Sequence, residues 1–366
     1  MPSGHGLRIG TAEARPGALT YGHLDVLDHP NGIPERLPVL IAQGREDGPT
    51  LWLTANIHGA EYAGIPAIHR TMRAELPTRL RGTVVARPSL NPAGLRTASR
   101  TAYYDRTDPN RTFPTRTPRP EAVSADPPSV FETIARTIWS QVKPSTDILL
   151  DLHNASILSV PFIIRDRVLY DGDGDRTRAE ALAARLDGLA HAFGLPVVNE
   201  APPETYVKRE LHRSVAGAAV NEAGIPALTL ELGMGISVDW SAVAAVQGIE
   251  NTLIWAGMVE GEIRPLTGIR ITAPGFPTRE DDSVRARATG IVEPLLTPGE
   301  TFAAGDLLAR MVDLWGRPIP ESDLRTPADG WLVGWNNSLL KYPGERVALL
   351  AIRDDAPLIA PWPDGK

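Results

Sequence analysis

Two histidines and a glutamate are spaced so that they could hold a metal ion. His58 and Glu61 lie in the phrase Asn56-Ile-His-Gly-Ala-Glu-Tyr62, and His153 lies in Asp151-Leu-His-Asn154. Three such ligands leave zinc one position for water, which is the arrangement of a catalytic rather than a structural site. Each phrase alone is weak evidence, since a histidine after a strand is commonly a capping or core residue. Together they predict one Zn²⁺ per chain.

The elements around these phrases would bring them together. Residues 50–56 are typical of a buried strand, 61–72 of the helix that follows it, and 147–152 of a second buried strand that ends at His153. In open α/β sheets, ligands bind outside the carboxyl ends of the strands, where both phrases would lie. The pattern therefore predicts catalytic chemistry at this edge of the sheet.

A carboxylate that could act as a base lies in a third apolar run. Residues 226–232 are typical of a buried strand with a turn before it and glycines after it, and they contain Glu231. Burying a carboxylate without a partner is costly, so a metal, a water or a cation should lie nearby. A raised pKa would suit a general base and acid. The alternative is a glutamate paired with an arginine for structural reasons.

Five short phrases, taken in order, resemble the succinylglutamate desuccinylase and aspartoacylase family, which is related to the zinc carboxypeptidases. They are the His58 and Glu61 phrase, Leu90-Asn-Pro92, residues 100–114, Asp151-Leu-His153 and Leu230-Glu-Leu-Gly233. The resemblance covers most of the chain. The spacing of Arg100, Asp105, Asn110 and Arg111 is most similar to the subgroup that includes deacetylases of N-acetyl-diaminobutyrate.

The resemblance implies a role for each matching residue. The zinc ligands would be His58, Glu61 and His153, and Glu231 would be the catalytic acid/base. The substrate would be bound by Arg100, Asn110, Arg111 and Tyr342, the last from a C-terminal domain packed over the cleft. Guanidinium groups bind carboxylates through two parallel hydrogen bonds, so arginines beside a zinc suit an amino-acid-like substrate.

Other readings of these substrate-binding residues stay open. Arg111 could brace a loop, and Tyr342 could be a surface residue. Arg96 and Arg106 compete with Arg100 for the upstream arginine's role.

The implied reaction is hydrolysis of a linear amide in a small N-acyl amino acid or related N-acylated metabolite. Metal-activated water would attack the acyl carbonyl, with Glu231 as general base and then as acid. A zinc carboxypeptidase acting on short peptides would use the same groups. A non-catalytic zinc-binding module is the alternative from another class. The sequence has no Gly-x-Ser-x-Gly motif of a serine hydrolase and no nucleotide-binding motif.

Two further residues near the ligands have more than one interpretation. A ligating histidine usually donates its other ring N–H to a carboxylate or carbonyl, so Asp151 could orient a ligand, or it could point away from the site. His69, on the helix after Glu61, is expected to be a solvated or core residue rather than a third imidazole.

The order of elements predicts an α/β fold with a mixed, largely parallel sheet flanked by helices over residues 1–262. Strands are expected at 18–27, 36–42, 50–56, 83–88, 147–152, 160–165, 195–199 and 226–232. Helices are expected near 61–75, 128–142, 175–193, 211–223 and 240–258. The third helix carries an apolar stripe of Leu182, Leu186, Leu189 and Phe193 that should face the core.

Residues 263–366 are predicted to form a smaller all-β domain. Gly290-Ile-Val-Glu followed by Pro298-Gly-Glu resembles Gly330-Trp-Leu-Val followed by Pro343-Gly-Glu. The repeat suggests a pseudo-symmetric β sandwich similar to lipoyl and biotinyl carriers. Lys341 lacks the flanking residues of a carrier lysine, so no cofactor attachment is predicted.

Residues 112–128 contain five prolines and no periodicity, which predicts a loop. Its place directly after Arg111 would put it at the rim of the substrate pocket. A surface insertion unrelated to the site is the alternative.

Composition fits an ordinary enzyme of small metabolites. A formal net charge of -7 over 366 residues and a pI near 5.7 argue against a nucleic-acid partner. Cysteine is absent, so disulfides and thiol chemistry are excluded. No signal peptide and no apolar run long enough for a membrane helix are visible, so we expect a cytoplasmic protein without a membrane partner. The sequence leaves the oligomeric state open, a homo-oligomer included.

Overall fold

The computed structural model describes residues 6–115, 127–155, 159–233, 238–267 and 274–363. The strands up to residue 262 are β1 (Arg8–Ile9), β2 (Ala12–Glu13), β3 (Ala18–Asp28), β4 (Pro34–Gln43), β5 (Glu46–Ala55), β6 (Arg81–Arg87), β7 (Ile148–His153), β8 (Phe162–Arg165), β9 (Val168–Tyr170), β10 (Val197–Asn199) and β11 (Ala227–Glu231). The later strands are β12 (Thr278–Asp281), β13 (Gly290–Pro294), β14 (Thr301–Phe302), β15 (Leu307–Val312), β16 (Leu324–Arg325), β17 (Gly330–Trp335), β18 (Leu340–Lys341), β19 (Ala348–Arg353) and β20 (Ile359–Pro361).

The α-helices all lie before residue 262 in the part of the chain that the structure describes. They are α1 (Gly64–Thr71), α2 (Leu76–Arg79), α3 (Pro92–Thr97), α4 (Val130–Ser145), α5 (Gly172–Phe193), α6 (Pro203–Lys208), α7 (Val215–Ala223) and α8 (Val238–Trp255). Two 3₁₀ helices cover Pro109–Arg111 and Leu211–Arg213. None of the described helices is long and apolar enough to cross a membrane.

A large mixed sheet organises the molecule. Its strand order is β14-β17-β19-β12-β10-β8-β11-β7-β5-β6-β4-β3. The central pairs β12–β10, β10–β8, β11–β7, β7–β5 and β5–β6 are parallel. The predicted α/β fold with a mixed sheet is confirmed, but parallel pairing is limited to the centre. Both ends of the sheet are antiparallel, as are β8 and β11.

The central strands are parallel and buried because their sequences are apolar on both faces. Every residue of β7 is buried, including its two polar residues Asp151 and His153. Such strands need helices over both faces, and α7 packs on β7 and β11 while α1 and α5 pack on α8. The stripe on α5 is buried, which confirms that it faces the core.

The C-terminal strands form two layers with an apolar cluster between them. One layer is the sheet β16-β15-β13-β18, and the other is formed by β14, β17, β19 and β12, which extend the central sheet. The two repeated phrases begin β13 and β17 and so lie in opposite layers. The prediction placed a domain boundary at residue 262 and did not anticipate that β12 pairs with β10 and so continues the central sheet.

Most predicted elements lie within a few residues of the observed ones. The helix expected at 61–75 begins only at Gly64, which leaves His58 and Glu61 in the turn, as predicted. Several short elements without clear periodicity were not predicted, namely β1, β2, β9, α2, α3 and α6. Of the loop expected at 112–128, residues 116–126 lie outside the described part of the chain.

Trp331 anchors the C-terminal strands to the central sheet, which leads to a prediction. It is 1% exposed and packs with Phe162, Ile164 and Val198. We expect Trp331→Ala to lower the free energy of unfolding by about 3–5 kcal/mol, as for other buried aromatic truncations. Trp315→Ala is the matched control, because Trp315 is 78% exposed and should change stability by less than about 0.5 kcal/mol. Urea denaturation measures both, and equal effects would contradict the anchoring role.

Candidate metal centre and active-site cavity

Asn56 shapes the turn that carries His58 and Glu61. Its backbone adopts the left-handed conformation with φ of 57°, which asparagine tolerates better than most residues. The side-chain Nδ2 donates to the carbonyl oxygens of His58, Gly59 and Glu61 at 3.1, 3.1 and 2.9 Å. The Oδ1 accepts a hydrogen bond from Ser89 Oγ at 2.7 Å. One buried amide thus fixes the whole turn between β5 and α1.

Asn154 joins this turn to the end of β7. Its Oδ1 accepts from the backbone N–H of Ala63 at 2.8 Å, and its Nδ2 donates to the carbonyl of Leu232 at 2.9 Å. The ends of β7 and β11 and the start of α1 are therefore tied to one side chain.

The three predicted ligands lie together at this edge of the sheet. His58 Nδ1 lies 2.8 Å from Glu61 Oε1, and His153 Nδ1 lies 2.8 Å from Glu61 Oε2. One ligand atom from each residue lies within 4.8 Å of the others, which is close enough for all three to hold one ion. Two imidazole nitrogens and a carboxylate fit a zinc centre with an open position.

Two further carboxylates hold the outer nitrogens of the imidazoles. His153 Nε2 lies 2.7 Å from Asp151 Oδ2, and His58 Nε2 lies 3.0 Å from Asp108 Oδ1. Thr54 Oγ1 donates to Asp151 Oδ1 at 2.6 Å. Of the two interpretations of Asp151, the structure favours the one in which it orients a ligand. Asp108 was not predicted from the sequence, although the rule that a ligating histidine donates its outer N–H to a carboxylate applies equally to His58.

These contacts shift the acid–base equilibria of the cluster. Burial acts to raise the pKa of Glu61, but His153 and His58 outweigh it and hold that pKa below its usual range. Burial also opposes ionisation of Asp108, whose pKa is nonetheless lowered by His58 and Arg100. The pKa of His153 is raised well above its usual value, against burial, by Asp151 and Glu61. The cluster therefore favours charged carboxylates.

The substrate-binding candidates before residue 112 surround the cluster in different ways. Arg100 donates from Nη2 to Asp108 Oδ2 at 2.8 Å, and its Nη1 lies 3.7 Å from Glu61 Oε1. Asn110 is buried, and its Oδ1 accepts from the backbone N–H of Val215 at the start of α7. Arg111 Nη1 donates to the Asn110 carbonyl at 2.7 Å. Arg96 instead pairs with Glu35, which removes it as a competitor of Arg100.

Glu231 lies beside the cluster, opposite His153 in the β11–β7 register. Its Oε2 is buried and has no hydrogen-bond partner among the described residues. Burial raises the pKa of Glu231 to about 8; His153 acts against this rise, while Glu61 and Glu280 add to it. Glu231 forms no ion pair with an arginine in the described part of the chain. The alternative interpretation, a glutamate paired with an arginine for structural reasons, therefore has no support.

A cavity of about 540 Å³ opens over these groups. Seven of the eight predicted site residues line it: His58, Glu61, Arg100, Asn110, Arg111, His153 and Glu231. Tyr342 does not. It is 56% exposed after β18, whereas the preceding Lys341 is buried, because alternate residues of a strand face opposite sides. In its place, Trp335 and Arg346 bring the C-terminal strands to the cavity wall.

Two glutamates in the cavity wall, Glu200 and Glu280, and the nearby Asp166 were not predicted from the sequence. Glu200 follows β10, and Glu280 lies in β12. Burial raises the pKa of each glutamate to about 7. The charge of Asp166 adds to the rise at Glu200, and the charge of Glu200 adds to the rise at Glu280. Glu200 lies directly after a strand, as the predicted ligand His153 lies at the end of one, so its position at the site could have been predicted from the sequence. Glu280 had no such signal.

Asp166 gives a prediction about stability and pH. Its carboxyl is buried, and burial raises its pKa from 3.8 to about 7, although Tyr206 Oη donates to Oδ1 at 2.6 Å. Because the folded pKa lies above the unfolded value, the carboxyl stabilises the fold below about pH 4, and this contribution is lost as pH rises through about 7. We expect Asp166→Asn, whose amide oxygen can accept the same bond, to remove this loss.

The measurement is the free energy of unfolding from pH 4 to pH 8. From pH 4 to pH 8, the free energy of unfolding of the wild type should fall relative to that of Asp166→Asn by on the order of 2–4 kcal/mol. Asp355→Asn, at an exposed position, should leave the pH profile unchanged. Parallel profiles for the wild type and Asp166→Asn would refute the prediction.

Comparison with known proteins identifies the family. Residues 47–254 match the succinylglutamate desuccinylase/aspartoacylase catalytic domain. The chain is 28% identical over 322 residues to the N-alpha-acetyl-L-2,4-diaminobutyric acid deacetylase of Halomonas elongata, covering 86% of this chain and 85% of the relative.

Two solved structures are similar over nearly the whole chain. The succinylglutamate desuccinylase/aspartoacylase from Rhodobacter sphaeroides has a TM-score of 0.71 and 26% identity, covering 92% of this chain and 96% of that one. The product-bound ectoine utilization protein EutE (DoeB) from Ruegeria pomeroyi has a TM-score of 0.70 and 26% identity, covering 93% and 96%. Because the matched catalytic domain spans more than half of the sequence, the chain belongs to the succinylglutamate desuccinylase/aspartoacylase family.

Proposed function

We propose that this chain is a zinc-dependent deacylase that hydrolyses the amide bond of a small N-acyl amino acid or a related N-acylated metabolite. Its family makes it an amidohydrolase; the metal, the acid/base and the substrate are the proposal. The observation that carries it is that the ligand cluster lines one cavity with Glu231, whose buried Oε2 has no hydrogen-bond partner among the described residues.

His58, Glu61 and His153 would hold the metal. When bound, zinc would supply a Lewis acid that lowers the pKa of a water molecule toward about 7 and polarises the acyl carbonyl. Asp108 and Asp151 keep both imidazoles turned with Nδ1 toward Glu61, so the ligand atoms are oriented before any ion arrives. Such orientation lowers the entropic cost of binding the metal.

Glu231 would move the proton. Its carboxyl accepts a proton from the attacking water and later gives it to the nitrogen of the leaving amine. A pKa raised toward neutrality suits both steps, because the group must be a competent base and then a competent acid. Because Glu231 Oε2 has no hydrogen-bond partner in the described structure, that oxygen is available to the attacking water.

The arginines would bind the charged parts of the substrate. Arg111 lines the cavity and can hold a carboxylate through two parallel hydrogen bonds, and the Asn110 side chain is fixed beside it by Val215. Arg100 is held by Asp108 close to Glu61, where its charge would stabilise negative charge that develops on the acyl oxygen. Tyr342 is not part of the proposal because it lies outside the cavity wall.

The relative from Halomonas elongata supports the choice of first substrate. It is named for deacetylation of N-alpha-acetyl-L-2,4-diaminobutyric acid, a small N-acyl amino acid. A cavity of about 540 Å³ has the size of a small-metabolite site.

The role of Asp151 can be tested through metal affinity. We expect Asp151→Asn to weaken zinc binding about 10- to 100-fold, since it replaces the carboxylate that holds His153. Competition with a fluorescent chelator measures the affinity. Asp25→Asn, at an exposed ion pair with Arg36, is the control and should bind zinc like the wild type. Unchanged affinity in Asp151→Asn would show that Asp151 does not orient the ligand.

The role of Glu231 can be tested by substitution with its amide. Glu231→Gln should lower kcat by about 10²–10⁴ while keeping the zinc content of the wild type, because it removes proton transfer but no ligand. Metal analysis of the purified protein and a screen of N-acyl amino acids provide the readouts. Chelation should abolish turnover and added zinc should restore it.

Two results would overturn the proposed function. One is full turnover by Glu231→Gln; the other is a protein that has no stoichiometric metal and cannot be reconstituted with it. Short peptides in the same screen address the carboxypeptidase alternative, because only a carboxypeptidase should trim their C-terminal residues.

A further inference from the structure

We propose that Asn91 is a positioning residue that holds Arg100 in a fixed place beside the metal ligand His58. The inference rests on the proposed function, in which His58 binds zinc and Arg100 stabilises charge on the acyl oxygen. It gives a task in the reaction to Leu90-Asn-Pro92. Of the five phrases that resemble the family, this one contributes no residue to the wall of the described cavity.

The side chain of Asn91 lies between two segments that carry site residues. It is 1% exposed, and its Nδ2 donates to the carbonyl of Ile57, next to His58, at 3.1 Å. The same Nδ2 donates to the carbonyl of Arg100 at 3.3 Å, and that carbonyl also accepts from the N–H of Gly59 at 3.4 Å. Both bonds to this carbonyl are long, so the link depends on the two together. They tie the backbone of Arg100 to the turn that carries His58.

The other end of the amide fixes Asn91 itself. Its Oδ1 accepts from the backbone N–H of Gly94 at 2.8 Å, which makes Asn91 the N-cap of α3. Gly59 lies so close to the same turn of α3 that a Cβ on Gly59 would come within 2.0 Å of the carbonyl carbon of Gly94. The ligand turn, α3 and the backbone of Arg100 therefore pack as one unit around Asn91.

A second connection joins His58 and Arg100 through their side chains. Asp108 Oδ1 lies 3.0 Å from His58 Nε2, and Asp108 Oδ2 accepts from Arg100 Nη2 at 2.8 Å. The connections through Asn91 and Asp108 close a ring, because both join the same two residues. One fixes the backbone of the arginine, and the other fixes its guanidinium group.

Both ends of Arg100 need fixing because its side chain is long and 53% exposed. Asp108 alone would leave the backbone free to shift, and the guanidinium would shift with it. Arg100 Nη1 lies 3.7 Å from Glu61 Oε1, so such a shift changes where the positive charge lies relative to the metal ligands. A misplacement of about 1 Å in an active site can lower the rate about 100-fold.

The substitution Asn91→Ser separates positioning from helix capping. Serine can still accept from the Gly94 N–H, as Ser129 accepts from the Glu132 N–H at the start of α4, but it is too short to reach the two carbonyls. We expect Asn91→Ser to lower kcat/KM about 10- to 100-fold for the N-acyl amino acid that the wild type hydrolyses fastest, with N-acetyl-L-2,4-diaminobutyrate tried first.

Two further readouts accompany this loss. Most of it should fall on kcat, because Arg100 acts on charge that develops during the reaction. Zinc affinity, measured by competition with a fluorescent chelator, should stay within about threefold of the wild type. The reason is that Asn56 holds the turn of His58 independently of Asn91. A loss confined to zinc affinity would overturn the role assigned to Asn91.

Asn251→Ser is the matched control. Asn251 is also buried, its amide bridges the backbone of Arg264 to α8, and it does not line the cavity. Asn251→Ser should keep kcat/KM within about threefold of the wild type. An equal loss of kcat/KM in Asn251→Ser and Asn91→Ser would show general destabilisation and would overturn the inference. Circular dichroism confirms that both variants are folded.

A double-mutant cycle tests whether Asn91 acts through Arg100. Arg100→Ala alone should lower kcat by about 10²–10³, as loss of a donor that stabilises developing charge does. Adding Asn91→Ser to Arg100→Ala should then change kcat by less than about threefold, because the group that Asn91 positions is already gone. Losses that multiply would overturn the positioning role, and so would an unchanged kcat in Arg100→Ala.

Crystal structures of the zinc-loaded protein give a readout that does not depend on activity. In Asn91→Ser, the Arg100 guanidinium should lie on the order of 1 Å from its wild-type position, while His58 keeps its place. An unmoved Arg100 would overturn the inference whether or not the protein is a deacylase. A wild type that hydrolyses no N-acyl amino acid would overturn the proposed function alone, and the two crystal structures would then decide the role of Asn91.

Discussion

The Glu61 carboxylate lies between two imidazoles, and the arrangement of the catalytic edge depends on keeping both rings turned toward it. Each ring presents Nδ1 to Glu61 at 2.8 Å and is held from behind by an aspartate. Ring orientation is set by the outer hydrogen bond because imidazole has only two nitrogens. Asn56 and Asn154 then fix the backbone on which the rings stand. Amide side chains suit this task because each can donate and accept without adding charge.

Carboxylates around the cavity divide into two groups with opposite pKa shifts, and distance from positive charge accounts for the division. Glu61 and Asp108 contact imidazole or guanidinium groups, and their pKa values are lowered despite burial. Glu200, Glu231 and Glu280 lack such contacts, and burial raises their pKa values to about 7 or 8. The first group stays charged, Glu61 between the two imidazoles and Asp108 between His58 and Arg100. The second group has pKa values near neutrality, which suits proton transfer.

Sequence patterns predict the parts of the site that local structure determines. His58, His153 and Glu231 follow or end apolar strands, and strand ends converge in a parallel sheet. Glu280 could not be found this way, because it reaches the cavity only through the pairing of β12 with β10, a contact between distant parts of the chain. Tyr342 is 56% exposed directly after β18 and does not line the cavity, and the direction of its side chain depends on a strand register that the sequence does not specify.

The continuity of the sheet explains why an all-β segment belongs to this active site. Had the C-terminal strands formed an independent sandwich joined by a linker, its relative motion would leave the cavity wall undefined. Instead β12 adds to the central sheet, and Trp331 packs against side chains of β8 and β10. The strand that makes the join also carries Glu280, and β17 ends at Trp335 in the cavity wall. The backbone hydrogen bonds that complete the fold therefore also set the distance from the ligand cluster to the far wall of the cavity.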